Sequence, residues 1–355
     1  MNPTANPSTP TLSSADELAH RWAQLRDDEP KLRIRDAALR LGVSEAHLLE
    51  TEIGSGVRRL TGDLKELFAG LAGLGRCMAL TRNEHAVHER KGEYEKISFS
   101  GHGGLVLGPD IDLRTFPSKW KVAYAVVDEQ VSPPRRSLQF FDKSGIAAHK
   151  VYLQGEDAVE AFEELVSRHA EVGADGLTEF EAPAPPKAER PDADIDGDGF
   201  RAAWLAMKDT HDFFIVCHKF GVTRTQALRL APEAHAIQIE NDALRRALEG
   251  ARDEEFPIMV FVSSGGVIQI HTGEVERLME YGEWFNVLDP HFNLHVRESA
   301  IASSWIVRKP TEDGVVTSLE LFDAEGQNIL LMFGARKPGQ PERAEWTALM
   351  SVLQG

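Results

Sequence analysis

His211 lies in the stretch Trp204-Leu-Ala-Met-Lys-Asp-Thr-His211-Asp-Phe-Phe-Ile-Val-Cys-His218, whose apolar residues recur at helical intervals. Near neutral pH an imidazole offers an unprotonated ring nitrogen, which suits histidine to metal ligation and to proton transfer. The spacing predicts a helix over Trp204–Phe220. On it, Trp204, Met207, Lys208, His211, Ile215 and His218 fall on one face at i+3/i+4 steps. A histidine on a partly apolar face is more often a packed core residue than a ligand, so the face alone does not choose. His211 stands out because the chain otherwise repeats itself and the first copy has no counterpart for it.

The repeat is visible when the sequence is slid against itself. Ile111-Asp-Leu-Arg114 falls on Phe292-Asn-Leu-His295, and Ser137-Leu-Gln-Phe-Phe-Asp142 falls on Ser318-Leu-Glu-Leu-Phe-Asp323. The same register pairs Met78 with Met259 and Gly92-Glu93 with Gly273-Glu274. Leu41-Gly-Val-Ser44 matches Phe220-Gly-Val-Thr223 after a small slip. Two copies are too few for a solenoid and imply two homologous globular halves.

Each half begins with helical periodicity (Glu17–Leu25, Arg35–Leu41 and Ser44–Glu50; Phe200–Phe220 and Thr223–Leu230). It continues as apolar or alternating runs: Cys77–Thr81, Leu105–Leu107, Trp120–Val127 and Ser137–Phe141, then Ile258–Val262, Val267–His271, Ile301–Val307 and Thr317–Phe322. Closely spaced strands with hairpin-length turns predict an α+β fold, each half a large antiparallel β-sheet with helices packed on it. The expected division is a disordered lead-in at 1–14, a first half at 15–180, a Pro/Asp-rich linker at 181–199 and a second half at 200–355.

The chain has 355 residues and a formal charge of −17. That charge opposes broad affinity for nucleic acid or anionic membrane. No run approaches the roughly 20 apolar residues of a membrane span, and the polar Met1–Ser14 lacks the apolar region of a signal peptide. Two cysteines, Cys77 and Cys217, are expected to be free thiols. Asp192-Ala-Asp-Ile-Asp-Gly-Asp-Gly199 imitates a calcium loop but has no Glu at the twelfth position, so it is taken as solvated linker.

Asp36–Leu48 carries a helix-turn-helix pattern, with Gly42 at the turn and Ser44 as cap. DNA binding is therefore a rival function. It is weakened by an acidic second helix, Glu45-Ala-His-Leu-Leu-Glu50, and by recurrence of the pattern in the second half.

Several motifs together resemble the cytoplasmic hemin-degrading and hemin-transport proteins of Gram-negative bacteria. These are Asp209-Thr-His211-Asp-Phe-Phe214, Ile111-Asp-Leu-Arg-Thr-Phe116 with Trp120, Ser137–Asp142, and the tract from Leu294 to Pro310. The likeness extends from about Ala15 onward, duplication included. It implies a b-type heme as ligand or substrate, with His211 as proximal iron ligand, Arg114 on the distal side and Phe116 lining that side. Arg224, Lys309 and Arg336 fall where the family holds the propionates or closes the pocket; a guanidinium can fork onto a carboxylate. Arg114 duplicates onto His295, so the halves differ where a ligand would be asymmetric. Leu330, Leu331 and Phe333 stand where the family often has tyrosines, and Thr210 and Asp212 flank His211 where some members carry extra histidines; an alternate ligand would have to be more distant, such as His218.

The resemblance implies a cytoplasmic protein of heme uptake and iron acquisition that binds hemin and opens the macrocycle to release iron. The alternative is a non-catalytic carrier or store that delivers heme to a separate oxygenase. Its partners would be heme, an inner-membrane importer, an oxygenase or an electron donor, without stable membrane association. A DNA-binding regulator is the third reading.

Overall fold

Glycines with left-handed backbone end the second helix of the first half and its counterpart in the second, Gly42 at φ 70° and Gly221 at φ 67°. The left-handed region is nearly free of strain only for glycine, so the two copies turn at the same place for the same reason. A computed structural model describes residues 15–101, 103–173, 176–337 and 339–355. The expected disorder at 1–14 lies outside the described residues.

The first half runs α1 (Ala15–Asp28), α2 (Ile34–Leu41), α3 (Glu45–Glu50), β1 (Val57–Leu60), α4 (Leu64–Ala69), β2 (Arg76–Arg82), β3 (Ala86–Glu93), β4 (Ser98–Ser100), β5 (Gly103–Leu107), β6 (Asp112–Thr115), β7 (Trp120–Asp128), β8 (Arg135–Asp142), β9 (Ala147–Leu153) and α5 (Val159–His169). The second half runs α6 (Gly197–Leu205), α7 (Asp212–Phe220), α8 (Arg224–Arg229), β10 (Ala236–Ile239), α9 (Ala243–Asp253), β11 (Ile258–Ser263), β12 (Val267–Gly273), β13 (Leu278–Tyr281), β14 (Trp284–Leu288), β15 (Phe292–Arg297), β16 (Ser303–Thr311), β17 (Gly314–Phe322), β18 (Asn328–Gly334) and α10 (Ala344–Leu353).

The expected α+β fold with two antiparallel sheets is present, and the repeat is structural. The halves also trade strands. One sheet has the order β1-β7-β8-β9-β2-β3-β15-β14-β13, the other β10-β16-β17-β18-β11-β12-β6-β5-β4. Each sheet thus takes six strands from one half and three from the other. The joints are β6 on β12, with Arg114 opposite Ile268, and β15 on β3, with His295 opposite Val87. The cores are shared accordingly. Val106, Ile111 and Leu113 pack among first-half residues such as Phe68 and Phe140 together with Val267, while Phe285, Leu294 and Val296 pack with Leu244, Leu248 and Met332 around Ala86. Each fully buried side chain of this kind contributes roughly 1.5–3 kcal/mol, so the exchanged meanders are held by packing as well as by ladder hydrogen bonds.

Cys77 and Cys217 are free, as expected. Among the described residues no helix is long and apolar enough to cross a membrane. The helix-turn-helix pattern is α2 and α3, but all six residues of α3 are buried. A recognition helix must offer side chains to a groove, and α3 offers none. The linker preceding α6 is pinned down: Glu189 takes hydrogen bonds from Thr223, Thr225 and Arg229, and Asp192 takes one from Gln226 at 2.7 Å.

Where the sheets meet lies a layer of buried histidines. His271 stacks on Phe292 with ring centroids 3.6 Å apart, and Arg90 donates to its Nδ1 at 3.3 Å. His149 is hydrogen-bonded to Thr81 Oγ1 at 2.9 Å and Tyr94 Oη at 2.6 Å. His88 has no hydrogen-bond partner for either ring nitrogen among the described residues. Burial disfavours the charged form and pushes His149 and His271 down to about 3, and His88 well below its ordinary value. The folded chain therefore binds fewer protons than the unfolded one as pH falls below about 6.5. Stability is full above that pH and falls toward pH 3, by about 1.4 kcal/mol per pH unit for each such histidine. In urea unfolding measured from pH 7 to 4, His88→Leu is expected to make that decline shallower by one histidine's share. An unchanged slope would contradict the assignment.

Candidate functional site

The helix expected over Trp204–Phe220 is two helices. Between α6 and α7 the chain turns, and His211 occupies the position just before the first residue of α7. The reason is local: Asp212 turns its carboxylate back to accept the backbone N–H groups of Lys208 at 2.9 Å and Asp209 at 3.1 Å. Such side chain–backbone bonds compete with helix continuation. The turn is tied to the sheet by Glu312 N–H donating to the Lys208 carbonyl at 2.9 Å, next to Trp204 Nε1 donating to the Arg308 carbonyl at 3.1 Å. The expected single face does not form. Trp204 and Met207 are buried, whereas the His211 side chain is 85 % exposed and Ile215 is exposed.

His211 is nonetheless oriented. Asp209 Oδ1 accepts from the His211 backbone N–H at 2.7 Å and lies 2.5 Å from Nδ1. The His211 backbone N–H, with help from the ring, holds the Asp209 carboxyl below its ordinary range against the opposing effect of burial. An ionised carboxylate only accepts hydrogen bonds, so Nδ1 carries the proton and Nε2 keeps the lone pair toward solvent.

Strand register shows which residues share the sheet face on which the helices around His211 pack. Directly paired residues share a face, and alternate residues along a strand share a face. From β17 the face of Glu320 continues to Leu331 on β18, Phe261 on β11, Ile270 on β12 and Asp112 on β6. One step to either side on the same face stand Phe333 with Met259, and Ile268 with Arg114. Helices α6–α8 pack on the outer strands of this sheet through Trp305, Val307 and Phe322. Met259, Phe261, Ile268, Leu331 and Phe333 remain half-exposed, and Phe261 meets Phe333 edge-on at 5.2 Å. The result is an apolar floor bounded by a helical wall. Leu330, one residue away, points to the opposite face and into a core.

The cations sit at the ends of this floor. Arg224, the first residue of α8, grips Glu320 through Nε at 2.7 Å and Nη2 at 2.8 Å. Lys309 Nζ reaches the same carboxylate at 2.7 Å, and both cations lie over the Phe213 ring. Burial alone would raise Glu320, but Arg224 and Lys309 hold it far below the carboxylate range. Burial pulls the Lys309 ammonium down, against the attraction of Glu320. The triad carries one net positive charge, so these residues offer a ligand a field rather than two free hands. Arg336 is less committed: its Nη1 lies 3.6 Å from Asp313 and donates to the Gln340 carbonyl at 3.3 Å, while its charge acts on Asp209.

Arg114 lies on the same face, ion-paired to Asp112, four strands from β17. At the usual spacing that is roughly 19 Å across the sheet, with the apolar floor between. Phe116 follows at the end of β6, its N–H donating to the Gly266 carbonyl at 2.9 Å and its ring under the Lys119 ammonium. His211, Arg224, Lys309 and Arg336 therefore gather at one side of the floor, with Arg114 and Phe116 at the other. The floor residues Met259, Phe261, Ile268 and Ile270 escaped the reading of the sequence. A signal existed: Ile258–Val262 is apolar at every position, the mark of a strand with no polar face. The corresponding face of the other sheet, taken at the repeat register, has Leu80 for Phe261 but Lys150 for Leu331 and Glu89 for Ile270. Only the second half has both the histidine and the apolar floor.

An exposed, carboxylate-oriented imidazole, an apolar sheet floor and cations around it could together hold a flat apolar ligand that has a metal to coordinate and acidic groups at its edge. The haemin-degrading HemS.ChuX domain matches residues 42–169 and again 221–353. The hemin transport protein HmuS of Yersinia pestis is 39% identical over 340 residues, 95% of this chain and 97% of that protein. The crystal structure of holo-PhuS, a heme-binding protein from Pseudomonas aeruginosa, superposes with a TM-score of 0.93 at 46% identity, covering 96% of this chain and 99% of that one. A crystal structure of ChuS, an E. coli heme oxygenase, gives 0.85 at 34% identity, covering 96% and 100%. The chain belongs to the HemS/ChuX family of haemin-degrading domains, as a tandem of two.

Two substitutions separate floor from ligand. Leu331→Lys copies the first half's residue onto the floor and is expected to weaken hemin binding at least ~10-fold, because the ligand would desolvate a charge. Unchanged affinity in a spectrophotometric titration would contradict the floor. Asp209→Ala removes the partner of Nδ1 and is expected to cost about 10-fold in hemin affinity. In the apo-protein, ring ¹⁵N shifts should move His211 from one tautomer to a mixture; an unaltered tautomer would show that Asp209 does not set it.

Proposed function

We propose that this protein binds hemin in the cytoplasm through His211 Nε2 and degrades it to release iron, as a component of heme uptake and iron acquisition. The observation that carries the reading is the exposed imidazole whose proton Asp209 fixes on Nδ1, set beside an apolar floor. These residues suit the group: a neutral nitrogen for the iron, apolar side chains under the macrocycle and positive field for the propionates. Bound heme would supply the redox chemistry of ring opening. The chain supplies the rest. His211 holds the ligand in one orientation, the floor removes water from one face, and Arg336 with the Arg224–Lys309 pair attracts the carboxylates. Arg114, the residue with distal catalytic duty, presents fixed positive charge from the far side of the floor. The heme oxygenase among the similar structures supports the degradative reading.

A carrier that passes heme to a separate oxygenase is the second reading, and exposure favours it. His211, Phe214 and Ile215 all stand in solvent at the entrance, accessible to an acceptor protein. An inner-membrane importer or an electron donor would be a further partner. The DNA-binding reading loses its recognition element, because α3 is buried.

The deciding experiment loads the purified protein with hemin and supplies a reductant with catalase present. Loss of the Soret band with a defined tetrapyrrole product and released iron is expected. A stable ferrous or oxygenated spectrum would overturn degradation in favour of the carrier. His211→Ala is expected to abolish the wild-type hemin spectrum, and an unchanged spectrum would overturn the ligand itself.

A further inference from the structure

The first half's sheet presents the same face to solvent, walled by α2 and α3 as the other is walled by α7 and α8. Glu45 at the start of α3 reaches back to Lys150, in the manner of Arg224 and Glu320. Past that pair, register sets Arg82 on β2, Val87 on β3 and His295 on β15 in one row. His295 stands where Arg114 stands in the other half, and Leu32 stands where His211 does, counting back as Gly221 does to Gly42.

His295 is fixed as firmly as His211. Its Nδ1 lies 2.7 Å from Asn286 Oδ1, while the Asn286 amide nitrogen donates to the Met279 carbonyl at 2.9 Å and the Trp284 carbonyl at 3.2 Å. The oxygen is therefore the acceptor, the proton is on Nδ1, and Nε2 has no partner among the described residues. Arg82 donates through Nε to the Asn83 carbonyl at 3.3 Å and forms no ion pair among the described residues. Burial, with Arg35 alongside, pulls Arg82 down to about 10, against the opposing charges of Glu45, Asp36 and Glu84. Arg33, at the start of α2, also has no carboxylate partner among the described residues, and its charge and that of Arg82 both act on His295. Of the acids whose charge acts on Arg82 or His295, Glu45 is paired with Lys150 and Glu84 with Arg35, leaving the exposed Asp36 in the first turn of α2 and Glu89 on this face.

We propose that this face is a second ligand site, which takes a small oxyanion, a phosphate or a carboxylate, between Arg82 and Arg33 with His295 Nε2 at its margin. A guanidinium fork matches two oxygens of either group. A macrocycle is refused on the same grounds that admit it in the other half: Lys150 and Glu89 replace the apolar floor, and Leu32 replaces the coordinating imidazole. Duplication has thus given one protein two clefts of opposite character. The proposal stands independently of the hemin reading.

The test uses the full chain with ¹⁵N-labelled histidine at constant ionic strength. Inorganic phosphate and malonate are titrated separately while the His295 ring resonances, assigned with His295→Asn, are followed. A saturable shift with either anion is expected, weakened at least 10-fold by Arg82→Met and unaffected by Arg336→Met in the other cleft. Hemin affinity should be unchanged by Arg82→Met. If Arg82→Met unfolds, the exposed Arg33→Met is expected to weaken the same titration several-fold. A response to phosphate alone, malonate alone or both supports the site and names the oxyanion. No saturable shift, an equal shift with chloride, or undiminished binding in the folded arginine variants would overturn it.

Discussion

The antiparallel pairing of β6 with β12 carries a segment of the first half onto the sheet of the second, and the asymmetry between the two clefts depends on it. Strand pairing fixes side-chain direction with a period of two, so a slip of one residue would turn Arg114 into the core and Leu113 out to the floor. Leu113 is fully buried in the shared core, and that burial locks the register. The reciprocal joint, β15 on β3, is locked likewise by Phe292 and Leu294. The site's two ends come from different halves of the sequence, yet they stand on one rigid sheet rather than across a hinge.

Duplication followed by divergence on one face of each sheet explains why the clefts differ while the fold repeats. The core-facing positions stay apolar in both copies, because any polar group there would need a partner. The open faces carry no such constraint. One became an apolar floor flanked by an oriented histidine; the other became a row of charged and polar groups around His295. The buried ion groups at the two walls, Arg224–Glu320–Lys309 and Glu45–Lys150, place opposite charges at the corresponding first residues of α8 and α3. Their desolvated charges are satisfied by each other, which fixes the wall helices against the sheet without leaving a lone buried ion.

Much of this was legible in the residues. Period-two runs and the internal repeat gave the α+β class, the antiparallel sheets and most strand positions, since these follow from local alternation. The exchange of β4–β6 for β13–β15 was not legible, because the two copies offer nearly equivalent edges and only tertiary packing chooses between them. The continuous helix through His211 was misjudged for a different reason. Apolar spacing ran on, but Asp209 and Asp212 hydrogen-bond to the backbone and open the chain there. The helix-turn-helix pattern was a true local structure with a burial that its acidic composition only hinted at.

The central claim is that hemin lies on the face of the second sheet that reaches from Leu331 to Arg114. Ferric heme shifts and broadens nearby methyl resonances, so the claim is tested by adding hemin to protein labelled at its methyl groups. The methyls of Met259, Ile268 and Leu331 are expected to shift strongly, while Met78, Leu80 and Val87 on the other sheet stay in place. Paramagnetic shifts at Leu80 and Val87, with Ile268 and Leu331 unmoved, would contradict the account.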